Sequence, residues 1–147
     1  MSTTGLDVFD RSVNETNSWL KSLMEKLATS DRRAAYVALR ATFHALRDRI
    51  GPENAVHLGA QFPTLLRGVY YEGWHMSATP TKERHKEAFL DHVRRELRGE
   101  PGIDVEKAVR AVFEVVWEKI DPGEVAKVMD MLPAELRALW PRLASAD

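Results

Sequence analysis

Residues 35–52, AYVALRATFHALRDRIGP, and residues 105–122, VEKAVRAVFEVVWEKIDP, are one pattern written twice, 70 positions apart. Ala38/Ala108, Arg40/Arg110, Ala41/Ala111, Phe43/Phe113, Ile50/Ile120 and Pro52/Pro122 are identical between them. Working outward at that constant offset, residues 19–70 align with residues 89–140 without a gap. Leu20/Leu90, Leu27/Leu97, Pro63/Pro133, Leu66/Leu136 and Arg67/Arg137 raise the identical pairs to 11 in 52 positions. Unrelated stretches of this length share about 3 at ordinary residue frequencies. The conservative pairs Trp19/Phe89, Leu39/Val109, Leu46/Val116 and Tyr70/Trp140 add to the excess, and together they predict one unit used in duplicate.

Each copy reads as four helices. Ala35, Ala38, Leu39, Phe43, Leu46 and Ile50 recur at three- and four-residue steps, which places them on one helix face. Val105, Val109, Val112, Phe113, Val116 and Ile120 form the matching stripe, and Phe9, Val13, Thr16, Leu20, Leu23 and Leu27 form that of the first helix. Ser30 or Asp31 and then Asp104 stand where an N-cap belongs, because a short oxygen-bearing side chain accepts the unpaired N–H groups of a first turn. Pro52/Pro122 and Pro63/Pro133 suit helix starts, where the missing N–H costs nothing, and Asp121-Pro122-Gly123-Glu124 resembles a capping box. No stretch alternates apolar and polar residues as a half-buried strand does. The expectation is an all-α fold in which two pseudo-symmetric four-helix units, residues 9–70 and 81–140, pack into one globule across an ordered connector, residues 71–80.

Composition narrows the function classes. With Cys at 0 there is no disulfide framework, thiolate zinc site or cysteine nucleophile. A net charge of -1 argues against a general nucleic-acid binder, which carries a basic excess to neutralise phosphates. Every apolar run, Val115-Val116-Trp117 among them, is far short of the roughly 20 residues that span a bilayer. The opening residues lack a basic segment followed by an apolar one, so a soluble, cytoplasmic protein is expected.

The segment from Tyr70 to Pro80 lacks helical periodicity but carries Tyr70, Tyr71 and Trp74, rings that gain stability only by packing. It reads as an ordered loop that either plugs the seam between the units or presents Tyr71, Trp74 and His75 to a partner. Ala60-Gln61-Phe62-Pro63, Arg67-Gly68-Val69-Tyr70-Tyr71-Glu72-Gly73-Trp74 and Pro80-Thr81-Lys82-Glu83-Arg84 with Phe89-Leu90 resemble the bacterial domain-of-unknown-function family 2267 from about Phe9 to Trp140. The resemblance implies a small helical bacterial protein and no catalytic residue.

Among candidate sites, His57, His75 and His85 are the residues of a possible metal centre, and His44 and Asp48 share a helix face four residues apart. No His-Glu-x-x-His spacing, nucleophile elbow or phosphate loop occurs. Arg33, Arg40 and Arg47 recur every seven residues, and Arg94, Arg95 and Arg98 cluster, yet neighbouring acids favour internal pairing. Arg40/Arg110 and Arg67/Arg137, present in both units, are each expected to pair with an acid of their own unit. Trp117, where the first unit has Arg47, needs cover from the other unit or from a second chain.

The function expected from the sequence is a binding or adaptor module rather than an enzyme, contacting a protein partner or a second copy through Arg67, Tyr70, Tyr71, Trp74 and His75. The alternative is a small-molecule or metal-binding protein, an enzyme included, using His57, His75 and His85; the sequence specifies no cofactor.

Overall fold

In the computed structural model, which describes residues 2–100 and 102–141, the chain is all-helical. Eight α-helices occur among the described residues: α1 (Asp7–Leu27), α2 (Arg32–Ile50), α3 (Pro52–Gly59), α4 (Thr64–Tyr71), α5 (Lys86–Leu97), α6 (Val105–Lys119), α7 (Pro122–Asp130) and α8 (Ala134–Arg137). A single 3-10 turn, Met76–Ala78, lies between α4 and α5. No strand is present among the described residues, and no helix among them is long and apolar enough to cross a membrane.

Local chemistry sets these boundaries. Asp31 accepts from Ala34 N at 3.1 Å and Asp104 from Lys107 N at 3.1 Å, so each caps a long helix with its own carboxylate. Pro52 and Pro122 both occupy first-turn positions. The capping box expected at Asp121 is only half formed: Asp121 accepts from Gly123 N at 3.0 Å.

The α2 helix lies at the centre, packed against α1, α3, α4, α5 and α6. Ala35, Ala38, Ala41 and Ala45 are all buried along it, and side chains this short let neighbouring helices approach closely. Phe43 stacks on Phe62 with ring centroids 4.6 Å apart, and Trp19 and Tyr70 meet both rings edge-on. In the C-terminal half, Phe113 stacks on Trp140 at 4.1 Å. Lys26 of α1 reaches both Glu114 at 2.8 Å and Glu118 at 2.7 Å on α6, and Trp117 between these acids is half-buried against the core.

Two expectations are corrected here. The α4 helix runs through Tyr71, so Tyr70 and Tyr71 are helical and the irregular segment starts at Glu72. Phe9 is 58% exposed rather than buried, and Leu6 and Val8 beside it are exposed too; the buried face of α1 begins at Thr16.

Candidate functional site

The densest polar chemistry lies where α2 meets α5 under the connector. Along α2, His44 and Asp48 are one turn apart; along α5, His92 and Glu96 are one turn apart. The helices run antiparallel, so the pairs cross. His44 Nδ1 lies 3.1 Å from Glu96 Oε1, and His92 Nε2 lies 3.5 Å from Asp48 Oδ2. The other nitrogen of His44 is 2.7 Å from the Val69 carbonyl oxygen, so both contacts form together only when the ring carries two protons. His92 Nδ1 is 3.2 Å from Glu83 Oε2 but off the line of a hydrogen bond, which leaves charge attraction as the main bond there.

Arg47 completes this layer. It is 3% exposed, donates from Nε to Asp48 at 2.8 Å, and donates from Nη1 to the Tyr70 and Glu72 carbonyl oxygens, each at 2.9 Å. Its guanidinium also sits 5.9 Å from the centre of the Trp74 ring. Arg49 Nε donates to Glu83 O at 2.7 Å and Thr81 N donates to Asp48 O at 2.8 Å, which fixes the far end of the connector to the same helix.

His92 is 6% exposed, and burial alone works against its cation; the Asp48 and Glu83 carboxylates outweigh burial and raise it to about 9. Burial likewise opposes the Asp48 and Glu83 anions, yet the imidazolium of His92 between them, with Arg47 beside Asp48 and Thr81 beside Glu83, holds both below the ordinary carboxylate range. A histidine raised on folding stabilises the native state fully below its unfolded value and loses that contribution as pH climbs through the folded one. Unfolding free energy is therefore expected to fall by about 3 kcal/mol between roughly pH 6.5 and pH 9.5. Urea titrations across that window at fixed ionic strength, on wild type and His92→Gln, check it: equal slopes for the two proteins would contradict the assignment.

The residues singled out in the sequence divide into two groups. Among the described residues Arg67 does not pair with an acid as expected; Nε donates to Gly59 O at 3.0 Å and Nη2 to Phe62 O at 3.0 Å, because the end of α3 and the turn after it leave carbonyls for a planar donor to gather. Tyr70 is fully buried, and its hydroxyl donates to Ala55 O at 2.7 Å; burial pushes the phenol up. Both serve the fold around α3. Tyr71 and Trp74 are half-buried and stack with centroids 5.6 Å apart, their planes 11° from parallel, and His75 beside them is exposed. The Trp74 indole N–H finds no acceptor among the described residues.

The three histidines of the metal reading lie on separate elements. His57 is exposed on α3, His75 is on the connector, and His85 sits at the start of α5 with Nδ1 3.0 Å from Glu135. Among the described residues no group of three metal-ligating side chains converges. Of the duplicated arginines, Arg110 meets Glu106 of its own unit at 2.9 Å, as the sequence predicts, whereas Arg40 meets Glu72 of the connector at 2.9 Å. The crossed clasp had a partial signal in the His44–Asp48 spacing; the matching spacing of His92 and Glu96 completes it.

An all-helical chain with a polar layer between its halves and an aromatic connector is the class this geometry defines. The chain belongs to the family described as uncharacterized conserved protein (DUF2267), whose model matches residues 16–139. No curated protein matches it.

Proposed function

We propose that this protein is a non-catalytic binding or adaptor module of the bacterial cytoplasm whose contact region is the connector and the seam beneath it. The observation that carries this reading is the mounting of the connector. Both ends are fastened to α2, while Met76 is 50% exposed and His75 is exposed beside the Tyr71–Trp74 stack. Apolar and aromatic groups held on a fixed base bind with little loss of conformational freedom, which favours a protein partner. In this reading Tyr71, Trp74 and His75 make contact, and Arg67 and Tyr70 position them through α3 and α4.

We also read the chain as a tandem duplication, with repeats over residues 9–70 and 81–140 joined by residues 71–80. In support, α2 and α6 are followed by helices beginning at Pro52 and Pro122, and α4 and α8 begin at Thr64 and Ala134, each 70 residues apart. The aromatic pairs Phe43–Tyr70 and Phe113–Trp140 occupy matching positions.

A photo-crosslinking side chain at His75, with Lys127 as an exposed control, tests the contact region in cells. One discrete adduct is expected from position 75 only, and it is expected to disappear in both Trp74→Ala and Met76→Asp. Trp74→Ala should itself cost less than about 3 kcal/mol, since the ring is only half-buried. An adduct that survives both substitutions, or one equally strong at Lys127, rules the connector out.

A further inference from the structure

The N-terminal turns of α1 carry the part of the fold that the duplication does not repeat. The α5 helix begins at Lys86, the counterpart of position 16 at the repeat offset, and the family match also begins at residue 16. Residues 7–15 of α1 are thus additional, and they form one wall of a groove of about 350 Å³. The opposite wall is the α3–α4 turn and the start of α4, and the end of α6 contributes Lys119.

The charges in this groove are unbalanced. Arg11, Arg67 and Lys119 line it against a single acid, Glu15, although the chain as a whole has a net charge of -1. None of the three cations meets a carboxylate within ion-pair distance among the described residues. Lys119 Nζ reaches only the Ser18 hydroxyl at 3.2 Å, and Arg67, after serving the α3 carbonyls through Nε and Nη2, retains Nη1. Thr64 adds an exposed hydroxyl at the first turn of α4, whose Leu65 N–H donates to Ser12 Oγ at 2.8 Å, so the attraction for an anion here comes from the three cations. Cations of one sign in a concave site focus the local potential and attract an anion of matching size. Beside them Val8 lines the groove and is 54% exposed.

We propose that this groove binds a phosphate monoester of a small molecule, the phosphate held by Arg11, Lys119 and the free edge of Arg67, and the organic part lying along Val8. A doubly charged oxyanion satisfies three cations better than a single carboxylate does, and planar arginine donors match its oxygens. The site shares only Arg67 with the connector surface, so either reading stands if the other fails.

The probe is phenyl phosphate, titrated into the full chain labelled with nitrogen-15 at constant ionic strength, with inorganic phosphate and benzoate as companions. Saturable amide shifts are expected at Thr64, Leu65, Arg11 and Lys119, with phenyl phosphate binding more tightly than either companion. Arg11→Gln and Lys119→Gln, both at exposed positions, are each expected to weaken binding by about fivefold, the equivalent of roughly 1 kcal/mol, with spectra otherwise unchanged. Arg67 is left intact because it also closes α3. Non-saturating shifts, shifts centred on other basic residues, or undiminished binding in the Arg11→Gln/Lys119→Gln double variant would each overturn the proposal. Inorganic phosphate binding as tightly as phenyl phosphate would overturn the role of Val8.

Discussion

Arg47→Ala is expected to lose about 3 to 5 kcal/mol of folding free energy, the cost of breaking a buried ion pair by removing one partner. The guanidinium satisfies the Asp48 carboxylate and the Tyr70 and Glu72 carbonyls at once, at 3% exposure, so truncation strands three acceptors. It also removes the cation beside Trp74. For a chain of this size the melting temperature should drop by roughly 10 °C or more. Arg47→Lys should recover only a minor part, because one ammonium cannot reproduce the planar spread of donors. Calorimetry on the three proteins decides the matter, and an alanine variant melting within about 3 °C of wild type would show the layer to be solvated.

Phe43→Ala is expected to cost a further independent 3 to 5 kcal/mol or so, for a different reason. Its ring is fully buried, stacked on Phe62 and bordered edge-on by Trp19 and Tyr70, so its removal opens a void among four elements that are fixed to one another. Phe43→Leu retains most of the volume and should cost less than about 2 kcal/mol. Urea unfolding of both variants gives the comparison, with an unchanged denaturant slope marking the same two end states. Equal losses for alanine and leucine would mean that the ring stacking, and not the filled space, holds the cluster.

The fold was legible where periodicity carried it. The stripes on α2 and α6, the aspartate caps and the paired prolines follow from one-dimensional spacing, since a helix converts spacing directly into a face. The exposure of Phe9 was not legible, because spacing marks a face along a helix but not how far along that face other elements pack. The end of α4 at Tyr71 was hidden for a related reason: Glu72 and Gly73 mark a break, but only packing of Tyr70 on Phe43 shows that the helix reaches it. The candidate sites were partly legible. Position four apart marked His44 and Asp48 as neighbours, yet the partner pair on α5 lies 44 residues beyond Asp48 in the chain and is brought near only by antiparallel packing. Arg67 looked like a surface pairing residue because charge invites that reading; the carbonyls of a helix end, which it serves instead, carry no mark in the sequence.

The connector is tied down at Tyr70 O, Glu72 O, Thr81 N and Glu83 O, all of them main-chain atoms. A grip of that kind is indifferent to side-chain identity. The exposed residues between the ties, His75, Met76 and Ser77, can be exchanged, changing what the loop displays, while the anchorage on Arg47, Asp48 and Arg49 stays as it is. Attachment and display are separate variables in this molecule, and a scaffold with that property accepts new recognition sequences without renegotiating its fold.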